Sequence, residues 1–194
     1  MTEKRLKKFQ FVVSKRQKFL TLVLENIHDP HNISAILRSA DAVGIDKIFL
    51  VYNTNKFPKI SRVSSASAKK WITLERFNNV QDCFNQLKKL KYNIYSTHIS
   101  ESGDNKSLYE IDLTKNSAIV LGNEHLGVTD EVKKYADGNL IIPMYGMIQS
   151  LNVSVSAAVC LYEALRQREL KNMYKKSKYT KTELSEKLKE YSNR

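Results

Sequence analysis

Three short stretches of the 194-residue sequence carry polar side chains at spacings that can serve a reaction. The first runs from Asn26 through Asn32 to Arg38. An amide and a guanidinium in one helical pattern can hold a phosphate or polarise an oxygen. The plainer account is an arginine lying along the helix edge or paired with Asp41. The second stretch is Leu121-Gly-Asn-Glu-His-Leu-Gly127. Its glycines allow close backbone approach, and Glu124 between them is either a placed hydrogen-bond acceptor or a solvated loop acid. The third is Ile142-Pro-Met-Tyr-Gly-Met-Ile-Gln-Ser-Leu-Asn152, which runs straight into a helical pattern. Ser150 or Asn152 suits the cap of that helix. Met144 and Met147 are ordinary core residue types. Each stretch taken alone admits a purely structural account.

Several chemistries lack their signature. No G-x-G-x-x-G follows the first strand, and no G-x-x-x-x-G-K-[ST] occurs. His28 and His31 flank a proline, while His98 and His125 have no partner at ligand spacing, so no metal site is expected. A hydrolase built on Ser150 and His125 would lack G-x-S-x-G. Cys83 and Cys160 sit in apolar helical patterns and read as buried, inert thiols of a reducing compartment.

The elements that must position these loops alternate. Thr21–Glu25 reads as a strand, and a helix begins near Asn32 with Ile33, Ile36, Leu37, Ala40 and Val43 on one face. Strands follow at Lys47–Tyr52, Trp71–Phe77, Tyr92–Thr97, Ser117–Leu121 and Leu140–Ile142. Between them fall an amphipathic helix over Val80–Leu90 and a short one over Thr129–Tyr135, capped by Thr129. A long helix covers Asn152–Leu170, with Val155, Val159, Tyr162 and Leu165 expected inward. The pattern predicts a single α/β domain with an open, mostly parallel sheet. Ligands of such sheets lie beyond the carboxyl ends of the strands, and that is where all three loops fall.

Charge divides the chain. The net charge is +12, of which residues 1–20 carry +6 and residues 171–194 carry +5. A near-neutral body (21–170) with basic helical extensions at both ends (1–20 and 171–194) suits a polyanion. Lys4, Arg5, Lys7, Lys8, Arg16, Lys175, Lys176 and Lys178 are the expected RNA contacts. Solvated helix faces would have the same composition. The apolar runs are far too short to span a bilayer, and the charged start predicts no secretory signal, so a cytoplasmic protein is expected.

Taken together the three loops resemble one family. Asn32-Ile-Ser-Ala-Ile-Leu-Arg38, Ile119-Val-Leu-Gly-Asn-Glu124 with Gly127, and Ile142-Pro-Met144 followed by Ser150-Leu-Asn-Val-Ser154 match, in order and spacing, the SpoU class of the SPOUT RNA 2′-O-methyltransferases. Gln149-Ser-Leu-Asn-Val-Ser154 and the basic ends are most similar to the members that act on guanosine 18 of tRNA. The resemblance spans about residues 20–170. It implies a C-terminal trefoil knot, a homodimer with the active site at its interface, and S-adenosylmethionine as cofactor. It places Leu121, Gly122, Glu124, Ile142, Met144, Ser150 and Leu151 around that cofactor. Arg38 would be the catalytic group, with Asn32, Glu124, Ser150 and Asn152 orienting it and the ribose. The alternatives are the same chemistry on ribosomal RNA or the tRNA wobble nucleotide, or a non-catalytic RNA scaffold. One departure is His125, where many members have glycine.

Overall fold

The computed structural model describes residues 1–54, 56–58, 68–100 and 103–194. Seven strands form one sheet: β1 (Leu20–Glu25), β2 (Lys47–Val51), β3 (Thr73–Phe77), β4 (Asn93–Thr97), β5 (Lys106–Ser107), β6 (Ser117–Leu121) and β7 (Gly138–Ile141). The order is β3-β2-β1-β6-β4-β7-β5, and every pairing between these strands is parallel. The two central strands, Leu-Thr-Leu-Val-Leu-Glu and Ser-Ala-Ile-Val-Leu, are buried throughout because helices cover both faces. Leu24 pairs with Leu121, so the first two candidate loops leave the sheet side by side. The chain order reverses between β1 and β6, and the crevice at such a reversal is where open α/β sheets hold ligands.

Six helices flank the sheet. They are α1 (Glu3–Lys15), α2 (Pro30–Ala42), α3 (Val80–Lys89), α4 (Asp130–Tyr135), α5 (Val153–Leu170) and α6 (Lys181–Asn193). Asp29 caps α2, accepting from the His31 amide at 2.8 Å, with Pro30 in the first turn where its missing N–H costs nothing. The apolar faces of α2 and α5 meet one side of the sheet around Ile36, Leu37, Cys160 and Leu161. On the other side α3 and α4 bury Cys83, Phe84, Leu87 and Val132. Both cysteines are buried and unpaired in disulfides, and burial pushes each thiol up to about 12.

Two expectations need correction here. Helix α5 turns Ala157, Cys160, Leu161 and Ala164 inward, while Val155 and Tyr162 are 46% and 53% exposed. The helix carries two apolar stripes, and the small side chains face the core because α5 lies close against α2 and β6. Residues 68–70 form a turn of 3-10 helix, so β3 begins at Thr73 rather than at Trp71.

The basic ends are not free arms. Helices α1 and α6 pack on each other through Phe9, Val13, Tyr191, Leu184 and Leu188, with Trp71 beneath. Residues 171–180 are tied to the body as well: the Tyr174 and Tyr179 hydroxyls donate to the Val43 carbonyl and the Asp46 carboxylate, both at 2.8 Å. Arg16, predicted to contact RNA, is 1% exposed. Its guanidinium bonds Asp41 at 2.5 Å, the Ile45 carbonyl at 2.8 Å and the Tyr191 hydroxyl at 2.8 Å. A charge this enclosed has exchanged water for fixed acceptors and is closed to a phosphate. Arg168 is the other buried guanidinium; it donates to the Leu113, Phe19 and Lys115 carbonyls, each at 2.9 Å, where the amino ends of β1 and β6 meet. Lys4, Arg5, Lys7, Lys8, Lys175, Lys176 and Lys178 remain exposed.

Candidate active site

One hydrogen-bonded chain joins the three loops. Asn152 opens α5: its Oδ1 accepts from the Ser154 amide at 2.8 Å, and its Nδ2 donates to Asn32 Oδ1 at 3.0 Å. Asn32, buried in the first turn of α2, passes its own Nδ2 to Glu124 Oε1 at 3.0 Å. Glu124 also accepts from the His28 and Asp29 amides at 3.0 and 3.1 Å. Burial raises the Glu124 carboxyl, but the Asn32 side chain and the loop amides outweigh it and hold its pKa below the usual carboxylate value. The capping and functional accounts of Asn152 are therefore both correct: one end of the amide caps, the other reaches Asn32.

The surrounding loops are stiffened by side chains not expected to matter. Asn26 adopts φ 50° and accepts from the Asn53 amide at 3.2 Å, and Asn123 Nδ2 donates to the Asn26 carbonyl at 2.9 Å. Asn123 also bridges to Gly127 in both directions at 2.9 Å, closing the second loop on itself. Glu25, 1% exposed, accepts from the Thr129 amide at 3.0 Å and hydroxyl at 2.6 Å, and burial raises its pKa. The sequence signal for this shell was present in Asp29-Pro30, a helix-start pair that fixes the first loop's exit.

Gly122 is required by its own loop. A Cβ there would stand 2.2 Å from the Gly127 carbonyl carbon and 2.4 Å from the Val128 amide nitrogen. The left-handed residue of the loop is Gly127, φ +69°, and not His125, which is exposed and donates its amide to Asn123 Oδ1 at 2.9 Å. His125 thus replaces glycine without backbone strain.

Of the residues assigned to a cofactor, Leu121 is buried and Ile142, Met144 and Leu151 are half-buried, while Ser150 is exposed. Peptide groups from Met144 to Leu151 form no hydrogen bond within the chain, leaving donors and acceptors beside apolar side chains. That donor set fits a ligand with a heterocycle and an aliphatic chain. Arg38 stands apart. It is exposed on α2 and, among the described residues, has no hydrogen-bond or ion-pair partner; Asp41 is taken by Arg16. Within one chain Asn32, Glu124 and Asn152 come together, and Arg38 and Ser150 do not join them. Among the described residues no group of three or more His, Cys, Asp or Glu can hold a metal ion. No helix of the described residues is long and apolar enough to cross a membrane.

Comparison with known proteins places this geometry. Residues 19–162 match the model of the SpoU rRNA Methylase family. A tRNA (guanosine(18)-2′-O)-methyltransferase of Thermus thermophilus is 43% identical over 173 residues, 89% of this chain and 88% of that protein. The crystal structure of an A. aeolicus TrmH/SpoU tRNA modifying enzyme superposes with a TM-score of 0.91 at 38% identity, covering 98% of this chain and 96% of that one. The SpoU methyltransferase AviRb of Streptomyces viridochromogenes, solved in complex with AdoMet, superposes with a TM-score of 0.71 at 25% identity, covering 80% of this chain and 62% of that one. The sheet order, the three joined loops and a family match over most of the chain lead to one conclusion: the chain belongs to the SpoU methylase family.

Proposed function

We propose that this protein transfers a methyl group from S-adenosylmethionine to a ribose 2′-hydroxyl of tRNA, at guanosine 18. The observation that carries the reading is the Asn152–Asn32–Glu124 chain, which ties all three family motifs into one site. The name of the Thermus thermophilus relative supports the nucleotide. The cofactor, when bound, supplies an electrophilic methyl group on a sulfonium centre. Leu121, Ile142, Met144 and Leu151 with the free peptide groups of 144–151 would hold it, and Gly122 keeps the adjoining loop compact. Ser150 would complete the cradle on ligand binding.

Catalysis here is mainly alignment of the 2′-oxygen with the methyl carbon, worth up to about 7–11 kcal/mol in the best models. Arg38 keeps its proton above about pH 12, so it serves as a cation and donor rather than as a base. It binds the adjoining phosphate and polarises the 2′-oxygen, and a phosphate oxygen or water takes the hydroxyl proton. Asn32 and Asn152 orient the ribose, with Glu124 fixing Asn32. Since Arg38 faces solvent in the single chain, it works on the site of a second copy. The exposed apolar surface of α5 (Val155, Tyr162) and of the third loop (Tyr145 and Met147, each 99% exposed, and Ile148) supports a homodimer. We also assign the family's knot to the C-terminal loops and a cytoplasmic location to the protein.

Incubating unmodified total tRNA and rRNA with labelled S-adenosylmethionine, then mapping the labelled nucleotide, tests the assignment. Label at guanosine 18 is expected. Label confined to rRNA or to the wobble nucleotide would move the substrate, and no transfer to any RNA would leave a binding scaffold.

A further inference from the structure

Strand β3 is an edge of the sheet, and two cavities flank it. The larger, about 560 Å³, is lined by Lys69, Lys70, Arg76 and Arg194 beside Ile72 and Leu74. The smaller, about 370 Å³, lies at the carboxyl end of β2 and β3 and is lined by Tyr52, Lys56, Phe57, Arg76, Phe77 and Asn78. No acidic residue lines either one. Arg76 belongs to both and lays its guanidinium carbon 4.5 Å from the centre of the Phe57 ring, while Tyr52 meets that ring edge-on at 5.1 Å. The smaller cavity adjoins the candidate site, because the Tyr52 hydroxyl donates to the Ile27 carbonyl at 2.9 Å. The next two amides, His28 and Asp29, are those that hold Glu124.

A single charge on an edge strand is the common guard against strand pairing. Four cations around one concavity, continued by a cation–aromatic pair, exceed that need. Charge of one sign matches a phosphate backbone, and a guanidinium stacked on an aromatic ring is a platform for an unstacked base. We propose that this edge is a track for the RNA substrate: Lys69 and Lys70 hold backbone phosphates, and the Arg76–Phe57 pair stacks a nucleobase beside the methylated nucleotide. The inference rests on RNA being the substrate. It adds a surface apart from the basic ends.

The test measures binding of an unmodified tRNA transcript over a range of salt concentrations, with S-adenosylmethionine affinity and thermal melting measured on the same samples. In K69A/K70A the affinity is expected to fall and the slope of log K against log salt to flatten by about one per lost phosphate contact. F57A should weaken binding about 5- to 150-fold with the slope unchanged, as for loss of one stacked base. K134A, an exposed lysine on α4 across the sheet, should bind as the parent does. Parental affinity and slope in K69A/K70A and F57A, while the parent protein binds tRNA, would overturn the track. A parent that binds tRNA but labels another nucleotide overturns the guanosine 18 reading and leaves the track to be judged by the slopes. A parent that does not bind tRNA overturns both.

Discussion

Glu25 and Glu124 stand at the ends of neighbouring strands and titrate in opposite directions. Glu124 has a folded-state pKa below its unfolded value, near 4.3, so its ionised form stabilises the fold at neutral pH. That contribution is lost as pH falls through the lowered value. Glu25 has a raised folded-state pKa, so its ionisation opposes folding as pH climbs above about 4.3. Glu25→Gln is therefore expected to match the parent near pH 4 and to be the more stable protein at pH 7, by denaturant titration at both. A less stable Gln variant at pH 7 would mean that the Thr129 bonds favour the carboxylate. Gly122→Ala is expected to cost roughly 3 kcal/mol or more, because its methyl would enter backbone rather than a movable side chain. A parental melting profile would show that the loop has another packing. Arg38→Ala should lower kcat by at least about 100-fold, as for removal of one transition-state donor, with cofactor affinity intact. Arg38→Lys keeps the charge but not the planar fork; full activity in it would remove any role for the guanidinium geometry.

At the scale of the elements, α1 and α6 act as one unit. Deleting 171–194 would uncover Phe9, Val13 and Trp71, so truncation mixes loss of charge with loss of packing. Charge-only substitutions are the sounder probe of the basic ends. Lys4, Lys7 and Lys8 are exposed, and replacing them with alanine should flatten the salt dependence of tRNA binding without moving the melting temperature. Tyr191→Ala should instead cost about 3–5 kcal/mol, since it removes a buried ring and strands the Arg16 guanidinium. An unchanged urea midpoint would mean that the two-helix unit does not stabilise the body. Helix α5 divides its labour differently. Its small residues seat it against the core, and Val155 and Tyr162 face outward.

At the scale of the whole molecule, a parallel sheet covered on both faces aims the carboxyl ends of β1, β6 and β7 at one end of the domain. That end has Glu124 as a fixed acid and free peptide groups. The edge of β3 brings cations toward the same end. The outward stripe of α5 and the third loop supply the apolar surface that a second copy would cover. Tyr162→Asp is expected to shift the protein to a monomer in sedimentation and to abolish methylation if Arg38 acts across the interface. A monomer with full turnover would place Arg38 in its own chain's site.

Much of this was legible in the sequence because it follows from local rules. Period-2 and period-3.6 patterns marked most strands and helices to within a few residues, and Thr129 and Asn152 signalled their helices as caps. The two-residue β5 is too short to leave a pattern. The three motifs identified the family from residue types and spacing alone. What the sequence could not settle depends on neighbours distant along the chain. Which stripe of α5 faces inward is set by how closely α2 and β6 approach it. Arg16 looks like Lys4 or Lys8 in composition, yet Asp41, Ile45 and Tyr191 enclose it. Gly122 reads as a glycine for a ligand, and only the folded loop shows that Gly127 occupies the space. Residue types and spacing determined which groups this protein has for chemistry; tertiary contacts decided which of them meet, because burial and hydrogen-bond partners are properties of the packed chain.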